Sequence, residues 1–504
     1  MSQVRNNLIS NIIALIANIF VGLYYTPYLV NHLGIIAYGV IPLAMLINQY
    51  ITIVTNALTS SFSRFYSVAL QQNKNEEASR NISTSFFVVL LFVVFCFPFL
   101  IFFVCKINSF FEIPSQLLIE AKVLFAYTLG SFFISLFSSL LNETLYAQNR
   151  LDWLNVIRIF RIVAKLLLLI VFFENFEVNL IYVGLTNFLS ELIILIVSSI
   201  LFIRYKPNAV KIRLALFDST IFKVVGTMTI WVMIQSIGDA TLYKIDNIVV
   251  NNHFGIVNSG SLGAVSDFGH YVMMIVTVVG SLFGPLILIA YSRNNHKEVV
   301  NLSLTQSKLV GVFTAVLAGT LAGYSIPLLN IWLGNNFGKY SIWMILKLSY
   351  IPFYAAGGIL AYVYRSWNRV KLPAIATVVL GISNLFVVNE VASLFCSFHY
   401  VIELVLLICS VFGILQSYIL NYFCVAKIYS LSFKKGIIIF GEIALTFSLT
   451  SFICNQFSDF ILVKNLLQLI IVIVFSSFIF LLFVYFLFFN KFERKNIISI
   501  ILKR

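Results

Sequence analysis

Apolar runs long enough to cross a bilayer recur about fourteen times along the chain. They cover 8–30, 37–62, 82–104, 121–144, 156–173, 178–203, 224–250, 264–290, 309–331, 342–364, 372–389, 399–424, 436–455 and 465–489. Two of them stand apart. The fifth is short, and the second carries Asn48, Gln49, Thr52, Thr55 and Asn56, so both are expected to face protein or water. The longest internal polar connection, Arg204–Lys223, divides the spans into six and eight. This reading makes 1–203 an N-terminal six-helix lobe and 204–223 a cytoplasmic linker. A second six-helix lobe occupies 224–426, and 427–504 holds two extra helices and a basic tail. The expected fold class is an all-α polytopic membrane protein.

Composition agrees. The chain is 60% hydrophobic and 10% charged, against about 45–50% and 25% in a soluble domain. Its net charge of +14 would suggest a nucleic-acid partner in a soluble protein. Here it is sorted by side. With the N-terminus placed in the cytoplasm, 27 of the 33 Lys and Arg residues fall on the cytoplasmic side or its membrane edge. The outside receives Lys106, Lys122, Lys339, Lys347 and Lys464, and Lys244 lies within a span. That asymmetry supports an even helix count with both termini cytoplasmic, and nucleic acid is not implied.

The seventh span carries Asp239, Lys244 and Asp246, although a charge at membrane depth costs roughly 2.5 kcal/mol or more. Asp239 and Asp246 are seven residues apart and share a helix face, with Tyr243 between them. Such charges either line a polar path or form an ion pair that only holds the bundle together. Other acids in spans are Glu191, Glu403 and Glu442. Asp239 and Asp246 are the first choice for binding a coupling ion, because they share a face at the lobe junction. Among cations, Arg64 ends the second span and Arg293 follows the eighth, while Arg158, Arg161 and Lys165 share one face of the fifth. Lys244 is the deepest, and Lys122 and Lys347 read as anchors at the outer edge. The six cysteines have neither metal-ligand nor redox spacing. No nucleotide-binding glycine loop, zinc motif or nucleophile elbow occurs. No large outer loop could carry a catalytic domain, so an enzyme is not expected.

The halves echo each other. Ser63-Arg64 and the polar run to Arg80 after the second span match Ser292-Arg293 and Asn294–Glu298 after the eighth. Tyr146–Arg150 after the fourth matches Tyr364–Arg369 after the tenth. More loosely, Leu33-Gly34 and Tyr38-Gly39 match Phe254-Gly255 and Leu262-Gly263. Six-helix halves in the same orientation imply parallel repeats with a site at their interface.

The stretch from Asn11 to Arg64 contains Tyr25-Thr26-Pro27-Tyr28-Leu29, His32-Leu33-Gly34, Tyr38-Gly39 and Ser63-Arg64. With the Asn149-Arg150 loop, Asp246 and the fourteen spans, it resembles the Wzx-type O-antigen and capsule repeat-unit flippases. These form part of the polysaccharide transporter branch of the multidrug/oligosaccharidyl-lipid/polysaccharide exporter superfamily. The resemblance implies two six-helix lobes around a central cavity, plus two C-terminal helices. It implies alternating-access transfer of an undecaprenyl-diphosphate-linked oligosaccharide from the cytoplasmic to the periplasmic leaflet of the bacterial inner membrane. Coupling would be to an H+ or Na+ gradient, with no other cofactor and no metal. A polysaccharide polymerase and a chain-length regulator would be partners in O-antigen, capsule or exopolysaccharide synthesis. Arg64, Arg158, Arg161, Lys244 and Arg293 are the expected contacts to substrate, whose diphosphate needs cations. Asp239 and Asp246 are the expected ion-coupling groups. The alternative is a multidrug or organic-cation exporter of the same superfamily.

Overall fold

The computed structural model describes residues 2–46, 66, 69–70, 74–148, 150–281, 287, 290–291, 295–367, 369, 371–458, 465–489 and 494. Of 2–8, 12, 224–232, 278, 281 and 365 it describes the backbone alone. Every regular element among these residues is helical. In order they are α1 (Ser2–Tyr38), α2 (Asn75–Cys105), α3 (Leu118–Ala147), α4 (Leu151–Asn175), α5 (Leu180–Tyr205) and α6 (Ser219–Ser281). There follow α7 (His296–Gly323), α8 (Ser325–Leu333), α9 (Ser341–Ser349), α10 (Ile351–Ser366) and α11 (Lys371–Leu394). The last are α12 (Val401–Ile414), α13 (Asn421–Tyr429), α14 (Phe433–Ser458) and α15 (Leu466–Phe488).

Ten helical stretches among the described residues are long and apolar enough to cross a membrane. The protein is an all-α, multi-pass membrane protein, because only a helix or a closed barrel satisfies its backbone in lipid. Much of the expected span 37–62 lies outside the described residues, although 40–46 are helical. The expected span 156–173 falls in α4, which carries Arg158, Arg161 and Lys165. The spans 224–250 and most of 264–290 fall in α6. Helix starts follow local chemistry. Asn295 accepts from Glu298 N–H at 3.2 Å and donates through Nδ2 to Glu298 Oε2 at 2.8 Å, a reciprocal cap that opens α7. Asn179 accepts from Ile181 N–H at 2.8 Å to open α5.

Packing divides the chain into two compact units. The first holds Met1–Ala240 and Val250–Gly260, the second Thr241–Val249 and Ser261–Arg504. In the first, α3 runs along α5, and α4 packs on both α1 and α5. The connection after α5 is strapped down. Lys211 N–H donates to Ser79 Oγ (3.2 Å), Arg213 N–H to Ser83 Oγ (3.1 Å) and Asp218 N–H to Thr84 Oγ1 (2.9 Å). Ser83 Oγ in turn donates to Lys211 O. A row of α2 hydroxyls therefore satisfies backbone groups that have no helix of their own. Val210 is buried against Tyr66, Ile82, Leu141 and Phe202. In the second unit, α7 packs against α10 and α14.

The repeat is visible in backbone bonds. Lys74 N–H donates to Ala69 O as Asn295 N–H does to Ala290 O, and Arg150 N–H to Leu145 O as Arg369 N–H to Tyr364 O. The third sequence match needs a shift. The partner of Gly39 is Gly260, not Gly263, because those two backbones touch.

Candidate functional site

In the first unit, four helices enclose a cavity of about 320 Å³. From α1 come Asn18, Val21, Gly22 and Tyr25, at the three-to-four spacing of one helix face. Thr128 and Ser131 come from α3, Arg161, Ile162 and Lys165 from α4, and Asn187, Ser190 and Glu191 from α5, with Met45 closing the wall. Arg161 Nε lies 3.0 Å from Glu191 Oε1. The contact is close but misaligned, so the Nε donor has no hydrogen-bond acceptor. Lys165 Nζ stands 4.4 Å from the centre of the Tyr25 ring, a cation–π contact. Tyr25 Oη, Thr128 Oγ1, Asn187 Nδ2 and Glu191 Oε2 are likewise buried without a hydrogen-bond partner. Each such group costs about 1–3 kcal/mol when left unsatisfied. Chemically the cavity offers two cations, one carboxylate and several hydroxyl and amide groups, which suits a polar guest with anionic character.

A second charged cluster lies in the second unit. Asp246 on α6 is 2% exposed, and its Oδ2 accepts from Lys347 Nζ of α9 at 2.7 Å. A π-helical turn at Leu415–Leu420 follows α12 and aims Gln416 inward. Tyr243 Oη donates to Gln416 Oε1 at 2.6 Å, and Gln416 Nε2 donates to Thr377 Oγ1 at 3.0 Å. The Tyr243 ring stacks on Tyr350 with centroids 5.1 Å apart and meets Tyr354 edge-on. Asn384 Nδ2 donates to Leu242 O at 3.3 Å.

The residues singled out from sequence divide as follows. Arg161 lines the first cavity, joined by Lys165, which shares its helix face. Arg158, one turn away on α4, is exposed and is not among the lining residues. Asp239 packs in the first unit, whereas Lys244 and Asp246 pack in the second. Arg64 and Arg293 lie outside the described residues. Lys347 is not an edge anchor. Its side chain is 13% exposed and holds Asp246. The signal was present, because Trp343, Met344, Lys347, Leu348 and Ile351 follow the three-to-four spacing of a buried stripe, and the residues flanking Lys347 in it are buried. Lys308, assigned from sequence to the cytoplasmic edge, is also buried. It reaches Glu442 Oε1 of α14 at 3.0 Å and Phe488 O of α15 at 2.6 Å, tying three helices together. Glu403 accepts from Trp343 Nε1 at 2.8 Å. Among the described residues, no group of His, Cys, Asp and Glu is arranged to hold a metal ion.

No protein-family model matches the chain. A Bacillus subtilis (strain 168) protein described as uncharacterized membrane protein EpsK is 25% identical over 383 residues, 75% of either chain. Among solved structures, the lipid II flippase MurJ in an inward closed conformation superposes with a TM-score of 0.64 at 17% identity, over 94% of this chain and 99% of that one. An inward-facing multidrug resistance MATE family transporter of the MOP superfamily gives 0.64 at 11%, over 83% and 96%. The Vibrio cholerae MATE transporter VcmN gives 0.63 at 12%, over 84% and 97%. The protein shares the fold of the MOP-superfamily flippases and exporters.

Proposed function

We propose that the protein is a flippase that carries an undecaprenyl-diphosphate-linked oligosaccharide from the cytoplasmic to the periplasmic leaflet of a bacterial inner membrane. The observation that carries this reading is the cavity of the first unit. It sets Arg161 and Lys165 of α4 among unsatisfied hydroxyl and amide groups, beside α1, α3 and α5, which are long and apolar enough to span. A diphosphate draws charge-assisted hydrogen bonds from such cations, and sugar hydroxyls suit Tyr25, Thr128, Ser131 and Asn187. Two cations against one carboxylate do not suit an organic cation. The likeness in fold to a lipid II flippase supports a lipid-linked cargo. In this reading Arg64, Arg158, Lys244 and Arg293 remain proposed contacts to the substrate. Asp239 and Asp246 remain the proposed coupling groups. Because Asp246 already holds an ammonium, an incoming H+ or Na+ would compete with Lys347 for that carboxylate.

The test is complementation of a deletion strain with wild type, Arg161→Ala or Lys165→Ala, at equal protein in the membrane. Wild type should restore surface polysaccharide, and either variant should cut it about tenfold, the loss expected when one contact worth about 1.4 kcal/mol is removed. Full restoration by both variants would remove the cavity from the path. A strain whose polymer is intact but whose drug sensitivity rises would favour the exporter alternative.

A further inference from the structure

Asn31-His32-Leu33-Gly34-Ile35-Ile36-Ala37-Tyr38-Gly39 and Asn252-His253-Phe254-Gly255-Ile256-Val257-Asn258-Ser259-Gly260 lie a constant 221 residues apart. Their glycines are needed for two different reasons. Gly34 (φ 75°, ψ 161°) and Gly255 (φ 80°, ψ 171°) break their helices in a backbone region open to glycine alone. A Cβ on either would meet nothing within 4 Å. Gly39 and Gly260 instead lack room. A Cβ on Gly39 would stand 2.6 Å from Ile256 O, and one on Gly260 would stand 2.8 Å from Gly39 Cα and 3.0 Å from Ile35 O. Ile35 and Ile256 are equivalent positions. The second glycine of each repeat therefore sits against the isoleucine carbonyl of the other, in a pseudo-two-fold crossing of bare backbones.

The second repeat's stretch Val250–Gly260 packs in the first unit, while the residues on either side of it belong to the second. One side chain latches it there. Asn251 is fully buried. Its Oδ1 accepts from Glu112 N–H at 3.1 Å and its Nδ2 donates to Glu112 O at 3.4 Å, in the connection between α2 and α3. The first repeat has Val30 at the equivalent position and can form no such latch. Close backbone approach through glycine gives good contact without interdigitated side chains. Such a seam can part without repacking large residues.

We propose that this glycine crossing, latched by Asn251 onto the Glu112 backbone, is a gate at one end of the transport path, and that it parts when cargo leaves. Ile9–Tyr38 is long and apolar enough to span before the chain reaches Gly39, so the proposal puts the gate at the membrane face opposite the start of α1. The proposal rests on the transporter reading, since a static protein would need no parting seam. The test uses full-length protein in lipid nanodiscs with the exposed Cys105 and Cys396 changed to Ser. Spin labels are placed at Ile36→Cys and Val257→Cys, two exposed positions beside the crossing, and pulsed electron resonance reads the label-to-label distance. A working gate gives a short and a long distance. Asn251→Ala then raises the ratio of long to short about tenfold, or about 1.4 kcal/mol, the scale of two lost hydrogen bonds. Gly39→Ala shifts the ratio in the same direction. A single distance that Asn251→Ala leaves unchanged makes the crossing a fixed packing point and overturns the proposal. If Gly39→Ala fails to fold, Asn251→Ala decides alone, because it leaves the crossing backbones untouched. The transport reading is judged separately by polysaccharide in complemented cells. Labels that part in a protein whose loss leaves the polymer intact would refute the polysaccharide cargo and keep the gate in a transporter of another substrate.

Discussion

The buried ion pairs are where single residues decide most. Asp246 and Lys347 satisfy each other at 2.7 Å, and removing one partner leaves an uncompensated charge, a loss of about 3–5 kcal/mol. Asp246→Asn and Lys347→Met are each expected to lower the unfolding temperature of purified protein sharply. The double variant Asp246→Asn/Lys347→Met should recover much of the loss, because apolar or neutral replacements of a whole buried pair are often tolerated. Thermal unfolding in detergent measures this. Complementation by the double variant then separates roles, since a mere strut would leave polysaccharide normal and a coupling carboxylate would not. Reading the chain alone brings Asp246 and Arg161 to notice, because a charge inside an apolar run is anomalous wherever it points. The same reading makes Lys347 an outer anchor and does not foresee the burial of Lys308, because their partners lie 101 and 134 residues away in the chain. The apolar stripe around Lys347 marks its face as buried, but nothing local names the carboxylate it turns to.

At the scale of elements, the strap between α5 and α6 shows how a polar connection becomes ordered. Its backbone depends on the hydroxyls of Ser79, Ser83 and Thr84. Ser83→Ala removes one acceptor and one donor together, about 1–2 kcal/mol. Faster cleavage between 206 and 218 in limited proteolysis is the expected result. Asp218 closes the strap by capping α6, accepting from Thr220 N–H at 2.8 Å and from Ile221 N–H at 3.3 Å. Those donors hold its carboxyl below the usual aspartate value of 3.8. A carboxyl lowered on folding stabilises fully above its ordinary range, and that stabilisation is lost as pH falls through the folded value. Pepsin should therefore cut the start of α6 increasingly as pH drops below 3.8, a step that Asp218→Asn should abolish. The sequence identifies this stretch as the longest polar connection, but its docking on α2 depends on which helix lies beside it.

For the whole molecule, positive charge and span count bear on orientation. The basic residues at 427–504, with those at the inner edges of the spans, predict that both termini face the cytoplasm. A phosphatase fused after Arg504 should be inactive, and a fluorescent protein fused there should glow. The opposite pair of results would invert the topology and place the glycine crossing on the inner face.

Spanning runs, the helical class and the two repeat matches that follow the second and fourth spans were legible in the order of residues. Each depends on interactions within a few turns of helix, on hydrophobic length, or on identity between distant stretches that can be compared directly. The meeting of Arg161 with Glu191, Lys347 with Asp246 and Gly39 with Gly260 was not. Those pairings arise only when helices far apart in the chain become neighbours, because a side chain's partner is set by the face its helix turns and by what packs against it. The sequence by itself determined that charges would be buried in this membrane protein. Only the tertiary structure decided which charge answers which, and where two backbones come close enough to exclude a methyl group.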